Sequence, residues 1–598
     1  MGSRRSTTPP PSNRRRVSAR PRAASPRGGQ PHASFGAFDR VDSTLSDGSS
    51  RAVFVLVAFA VLAVVLLGRL VYLQVIQAGE LSAMAQDSRT ISYEVNARRG
   101  TIYDRNGLVL ATSVEATTIY ANPKEVSDPR GAANQLAAIL GGKPDWYYEQ
   151  LTQEDTSFVY IQRQADVELA ERVEKLGIRG VYFIADTKRE YPYGEVGGQV
   201  IGFVGVDGEG LSGLELQYDD ILSGTPGSVT IEQGNMGTPM PGGVREETPA
   251  VDGQDIIVSL DITLQAYVEE RLVQCVDDMN AAEGGSVVVM DAGTGEIYAT
   301  ASLPLYNPND PNSIEDASAT QAKAITQILE PGSIFKTVSM TAVLEESDVT
   351  PETELFCPAY LQADEFWISD AHERGDETMT LRQILDNSSN VGISLAVENF
   401  LGFAPLYEKL AKYNLNELTG VDYPGEGLGY LADVSDWSKI QAYNITFGQG
   451  ISVTPLQMVR FYGALANDGV EVTPHFLIEK PLTNEKPEYA TEEVIENKEA
   501  IATVTDMLET VVENGTGSGA QIEGYRVAGK TSTAEIAEGG VYKDGVFNLC
   551  FTGFLPGSSS QLVCFVGANE VPGDGTVSNA FRDIMAFAID RYRITPAE

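Results

Sequence analysis

Glu330-Pro331-Gly332-Ser333-Ile334-Phe335-Lys336 is the stretch on which the reading of this chain turns. Pro331 and Gly332 break whatever precedes them, and the residues after them predict a helix running from Ser333 to about Glu346. Residues three apart share a helix face, so the Ser333 hydroxyl and the Lys336 amine are expected to meet. The electropositive start of a helix favours an alkoxide over a hydroxyl and a neutral amine over an ammonium. Both effects suit a nucleophile served by a lysine base, which must lose its proton near neutral pH to work. One S-x-x-K is weak evidence, but two further strings follow it in order. Asn387-Ser388-Ser389-Asn390 holds the only S-x-N of the chain, and Val527-Ala-Gly-Lys530-Thr531-Ser532-Thr533-Ala534 reads as an edge strand of small, alternating polar residues.

Strand and helix signals around these strings predict one α+β domain over 251–598. Ile256–Leu260 reads as a strand and Leu264–Met279 as an amphipathic helix. Gly285–Met290 and Glu296–Ser302 read as a hairpin, and so do Phe547–Phe554 and Gln561–Ala568 around Pro556-Gly557-Ser558. Ser578 is expected to cap a last helix with Phe581, Ile584, Met585 and Ala588 on one face. A helical middle between two antiparallel strand groups gives an antiparallel sheet flanked by helices. Upstream, residues 77–250 are mixed α and β, with helices over Arg130–Gly141 and Asp166–Leu176 and strands over Arg89–Val95 and Gly227–Ile231.

The 598 residues are too many for one core, and 42% hydrophobic with 21% charged residues is a globular composition. The net charge of −40 is unevenly spread. Residues 1–50 hold nine Arg against three Asp, a local charge of +6, whereas 70–598 hold 32 basic against 80 acidic residues, a charge of −48. So acidic a body repels nucleic acid, and no nucleic-acid partner is expected. Between the two lies the apolar run Ala52–Ile76, interrupted only by Arg69 and Gln74. It exceeds the roughly 20 residues that cross a membrane, and is longer than the h-region of a cleaved signal. The Arg-rich tail before it places the N-terminus in the cytoplasm and the body outside. The expected order is a disordered basic tail (1–51), a membrane anchor (52–76), an extracytoplasmic domain (77–250) and the α+β domain (251–598).

Three His and four unpatterned Cys leave little for a metal site, a Ser-His-Asp triad or a disulfide framework, so no metal and no cofactor is expected. Gly208–Gly213 and Gly515–Ala520 match dinucleotide-binding glycine patterns but lack the strand–helix context, and read as loops.

The ordered set S-x-x-K, S-x-N and Lys-Thr-small-Thr resembles that of the penicillin-binding proteins and serine β-lactamases. With Arg98-Arg-Gly-Thr-Ile-Tyr-Asp-Arg-Asn-Gly107, Arg189-Glu-Tyr-Pro192, Gly213-Leu-Glu215 and Gly448-Gln-Gly-Ile-Ser-Val-Thr-Pro-Leu-Gln457, the resemblance is to a class B penicillin-binding protein and spans about 50–598. It implies a pedestal (dimerisation-type) domain below a transpeptidase domain, and a peptidoglycan D,D-transpeptidase that β-lactams acylate. It also implies residue roles. Ser333 attacks the carbonyl between two D-alanines and Lys336 takes its proton, with another lysine or a water as the alternative carrier. Ser388 relays a proton to the leaving amine, and Lys530 tunes it. Asn390 bonds Lys336 and the substrate backbone. The N–H groups of Ser333 and Thr533 hold the oxyanion, while Lys530, Thr531 and Thr533 hold the terminal carboxylate.

Implied partners are stem peptides, the lipid-linked precursor, β-lactams, the membrane, a membrane glycan polymerase and division or sporulation proteins. The Arg189-x-Tyr-Pro192 string and basic tail lean toward the division or sporulation branch. A β-lactamase is disfavoured by length, anchor and the lack of an assignable Glu for hydrolysis. One departure stands out: Ser532 replaces the usual Gly. Side-chain alternation directs Ser532 beside Lys530, toward the Ser333 helix, with a hydroxyl free to find a hydrogen bond. Two other readings carry the same motifs: an impaired scaffold of the wall-building complex, and a β-lactam sensor or D,D-carboxypeptidase.

Overall fold

The computed structural model describes residues 45–79, 90–232, 245–538 and 541–596. Most of the expected basic tail lies outside the described residues. The apolar run forms helix α1 (Leu45–Val71) and continues through Tyr72–Ile76 as a wider turn. It is long and apolar enough to cross a membrane, and none of it is buried by protein.

The body begins at Thr90. In its first part the long strand β1 (Val109–Ala121) pairs antiparallel with β2 (Val159–Asp166) on one side and with β3 (Val181–Glu190) on the other. Helices Pro129–Leu140, Pro144–Leu151 and Val167–Glu174 cover one face of this sheet around Ile119, Ala133, Leu136 and Leu151. The expected helices appear within two residues of their bounds; Asp128 caps one by accepting the Gly131 N–H, and Pro129 opens it.

Beneath the sheet three distant strings close on one carboxylate. Glu215 is fully buried and takes Arg99 Nε at 2.6 Å and Arg189 Nε at 2.7 Å, while Arg99 Nη1 reaches Asp219 at 2.5 Å. Arg189 also donates to the Gly100 carbonyl at 2.7 Å, so the two guanidiniums staple segments about 90–115 residues apart. The strand Ile256–Val258 then runs parallel to Ile102–Tyr103 and antiparallel to Leu477–Glu479. One sheet thus takes strands from both sides of the boundary expected near residue 250.

The second part is built on a five-stranded sheet. Helix α2 (Ile262–Met279) leads into β4 (Gly285–Asp291) and β5 (Ile297–Ser302), the expected hairpin. The late strands are β6 (Ala528–Glu538), β7 (Val541–Phe554) and β8 (Leu562–Pro572), followed by helix α8 (Ser578–Tyr592). The order is β5-β4-β8-β7-β6, all antiparallel, with β6 at the edge as the sequence predicts. Both faces are covered, which is why β8 is buried almost without alternation. On one face α2 and α8 pack Leu264, Val268 and Leu272 against Phe581, Ile584 and Met585. Asp261 caps α2 and binds Arg591 at 2.6 Å, tying the start of one helix to the end of the other. Ser578 is the first residue of α8 and not its cap; Val577 holds the cap position without a side-chain bond, and the Ser578 hydroxyl pairs instead with Thr576.

The helical middle lies on the other face. Its centre is α3 (Lys336–Glu346), surrounded by α4 (Leu381–Asp386), α5 (Asn390–Phe400), α6 (Pro455–Ala466) and α7 (Lys498–Glu513). Lys336 through Leu344 are buried without a break, so α3 has no solvent stripe.

Candidate active site

Ser333 sits where the middle meets the edge strand. Gly332 has φ +56°, a left-handed value that glycine adopts without strain. Residues Gly332–Phe335 then form one 3-10 turn, and the α-helix starts at Lys336 and not at Ser333. In a 3-10 turn residues i and i+3 eclipse, which aligns Ser333 with Lys336 more closely than an α-helix would. The turn is held from outside. Gly332 N–H donates to the Gly448 carbonyl at 3.0 Å, and the Tyr462 hydroxyl donates to the Ile334 carbonyl at 3.0 Å. A Cβ on Gly448 would stand 2.3 Å from the Gly332 oxygen, so only glycine passes there.

Helix α4 delivers the second string. Ser388 has φ +55°, a strained value for a residue with a side chain. This kink aims both its carbonyl and its hydroxyl at Lys336, whose Nζ donates to them at 2.5 and 3.1 Å. Ser389 caps α5 by accepting the Gly392 N–H at 2.8 Å and donates to Asp370 at 2.7 Å. Asp370 also takes the Val391 N–H at 2.9 Å and Arg374 Nε at 2.6 Å. Burial pushes the Asp370 carboxyl up, but these hydrogen bonds prevail and hold it below the ordinary carboxylate value.

Asn390 differs from its implied role. Its amide donates to the Ser369 carbonyl at 3.0 Å, and Lys336 takes both of its hydrogen-bond partners from Ser388. The loop carrying Ser369 and Asp370 therefore fixes the S-x-N turn from behind.

Strand β6 supplies the third side. Lys530 and Ser532 are buried on one face, and Thr531 and Thr533 lie toward solvent on the other. Thr531 shares a 2.8 Å hydroxyl contact with Thr516. Lys530 donates only weakly, to the Thr531 carbonyl at 3.3 Å. Burial lowers its pKa to about 7, opposed by the Asp386 and Cys550 charges. Burial, then the neighbouring Lys530, pushes Lys336 well below the ordinary lysine value, with Asp370 opposing. The site thus pairs two fully buried amines that burial makes easier to deprotonate, one of them at the nucleophile.

The Ser532 hydroxyl lies where alternation directs it, and it is engaged twice. It accepts the Ser333 N–H at 2.8 Å and donates to the Pro331 carbonyl at 2.8 Å. Sequence reasoning did not find Asp370, Thr516, Tyr462 or this bond. No local pattern marks them, since each acts on a partner many positions away.

Comparison with known proteins agrees with this geometry. Residues 285–586 match the penicillin binding protein transpeptidase domain and residues 94–258 the penicillin-binding protein dimerisation domain. The chain is 32% identical over 535 residues to stage V sporulation protein D of Bacillus subtilis, covering 88% of this chain and 82% of that protein. It is 33% identical over 488 residues to the peptidoglycan D,D-transpeptidase FtsI of Escherichia coli, covering 79% of each. The crystal structure of penicillin binding protein 3 of Mycobacterium tuberculosis complexed with aztreonam superposes with a TM-score of 0.65 at 26% identity, over 85% of this chain and 98% of that one.

Proposed function

The chain belongs to the class B penicillin-binding proteins, and from that membership we propose that it is a membrane-anchored peptidoglycan D,D-transpeptidase with Ser333 as nucleophile. The observation that carries this is the buried, carboxylate-free Lys336 amine on the Ser333 turn, hydrogen-bonded to Ser388.

Lys336, favoured as the neutral amine, takes the hydroxyl proton as Ser333 Oγ attacks the D-Ala-D-Ala carbonyl. The tetrahedral oxyanion draws on the N–H groups of Ser333 and Thr533. The proton then passes through Ser388 to the departing D-alanine nitrogen, leaving an ester on Ser333. An amine of a second stem peptide attacks that ester, loses its proton along the same path and restores the serine. Thr531 and Thr533 bind the terminal carboxylate from the solvent side of β6, and Lys530, buried on the other face with a pKa of about 7, adds positive charge in its protonated form. Asn390, whose carbonyl group remains available while its amide nitrogen holds Ser369, faces the substrate backbone. The edge position of β6 suits a substrate that adds itself as a further strand. A β-lactam enters by the same attack and stays as the ester.

In this reading residues 77–250 are the pedestal, 251–598 the transpeptidase domain and 52–76 a single span with the basic tail in the cytoplasm. A membrane glycan polymerase supplies the strands to be cross-linked, in division or sporulation. The test is to label the full-length protein with a fluorescent penicillin and map the modified residue. The label is expected on Ser333 and absent from Ser333→Ala; a label elsewhere overturns the mechanism.

A further inference from the structure

Among the backbone donors of the site, the Ser333 N–H has an occupant. Ser532 Oγ lies 2.8 Å from it and donates its own hydrogen bond to the Pro331 carbonyl, also at 2.8 Å. The hydroxyl is buried against the turn: Ser532 is 4% exposed, and a Cβ built on Gly332 would meet its Oγ at 2.4 Å and Ala534 Cβ at 2.9 Å. Cys550, opposite Ser532 in the ladder, fills the space behind with its Sγ 3.9 Å from the same Pro331 oxygen. Hence the hydroxyl bridges strand and turn, and the amide it holds is the one the transpeptidase reading assigns to the oxyanion.

A single N–H cannot serve both acceptors at full strength. A neutral substrate carbonyl is a poor match for a well-placed hydroxyl, whereas an oxyanion forms a charge-assisted bond roughly twice as strong. We propose that Ser532 gates the oxyanion site: its hydroxyl holds the Ser333 N–H in the resting enzyme and yields it only as negative charge develops on the substrate oxygen. Yielding means rotation of the Ser532 side chain to another staggered well, away from both Ser333 N and Pro331 O. Ser532 acts through the amide of Ser333 and touches no reacting atom, so it is a positioning residue. Its cost falls on the acylation step and not on initial binding, because the displaced bond is lost only on the way to the tetrahedral state.

This inference rests on the transpeptidase reading, and one experiment separates the two. Stopped-flow acylation of the full-length protein by a chromogenic or fluorescent penicillin resolves the dissociation constant of the first complex from the acylation rate constant. Ser532→Ala keeps the Cβ and removes the plug. Release of one neutral hydrogen bond, about 0.5–1.5 kcal/mol, corresponds to a rise in the acylation rate constant of about two- to thirteenfold. The dissociation constant should stay within about twofold, as expected when only a transition-state interaction changes. Ser532→Gly should show the same rise. An unchanged or lower rate constant in both variants, or a gain confined to the dissociation constant, overturns the gate while leaving Ser333 as nucleophile. A label away from Ser333 overturns the transpeptidase reading and the gate with it. A crystal structure of the wild-type protein with a boronic acid bound to Ser333, whose tetrahedral boronate carries the negative charge of the oxyanion, checks the geometry without a variant. The gate requires a boronate oxygen on Ser333 N and the Ser532 Oγ beyond hydrogen-bond distance; an intact Ser333–Ser532 bond in the boronate complex refutes it.

Discussion

Lys336 holds Ser388 by two hydrogen bonds from one ammonium or amine nitrogen, 2.5 Å to the carbonyl and 3.1 Å to the hydroxyl. The residues lie 52 positions apart, and the contact exists because Ser388 accepts a left-handed backbone, φ +55°. A lysine satisfied by a carbonyl and a hydroxyl, with no carboxylate bonded to it, loses its proton easily. That is the condition for a base.

The first expectation concerns that base. Lys336→Ala should slow penicillin acylation by at least the roughly 100-fold typical of losing a general base. Lys336→Arg should be as slow, since a guanidinium keeps its proton at every accessible pH. Second-order acylation rates measure both; a loss under about tenfold in either variant would move the base role to another group.

Lys530 gives a pH prediction. Its pKa lies at about 7 in the folded protein against an ordinary 10.5, because of burial. Between those values the folded state binds fewer protons than the unfolded one, so this group makes stability rise with pH across the window. Below about 7 it is charged in both states and carries its full desolvation cost. Lys530→Met should therefore be inactive yet more stable than wild type near pH 6, with the advantage shrinking toward pH 10. Thermal unfolding midpoints at several pH values test this, and a stability gap independent of pH would contradict it.

The pedestal makes a separate prediction. Glu215 is buried between Arg99 and Arg189, and Glu215→Ala would leave the buried Arg189 guanidinium without its carboxylate and Arg99 with Asp219 alone. Breaking a buried pair of this kind costs about 3–5 kcal/mol. Denaturant unfolding of the variant should show that loss, and a cost below about 1 kcal/mol would mean water replaces the carboxylate.

Topology is open to direct assay. Protease added to wall-stripped cells should digest the body and spare an epitope placed before Arg51. Cleavage of that epitope, or a mature N-terminus near Gln86, would argue against the anchor.

Overpacking at the gate is the last expectation. Ser532→Ile places a β-branched side chain against Gly332 and Ala534, where even Oγ leaves no room for a Cβ on the glycine. Such overpacking costs about 1–3 kcal/mol, and acylation should fall well below wild type. Acylation at the wild-type rate would mean that β6 can move away from the Ser333 turn.

The sequence by itself determined an apolar run long enough to cross a membrane, the α+β order of strands and helices, the edge position of β6 and the three strings that supply the chemistry. Each is a local matter. Hydrophobic length announces a span, alternation announces strands, and the spacing of Ser333 and Lys336 already fits one turn of helix. The residues of α3 after Lys336 gave no helical face to read, because a helix enclosed on all sides has no polar stripe. Tertiary structure alone decided how the strings engage. Lys336 turns to Ser388, Asn390 turns to Ser369, Asp370 braces the S-x-N turn, and Ser532 reaches the Ser333 N–H across 199 positions. Alternation could direct the Ser532 side chain toward the helix, but periodicity carries no information on which amide it meets. That partner is set by the close approach of β6 to a glycine turn, which only the packed sheet and helix bring about.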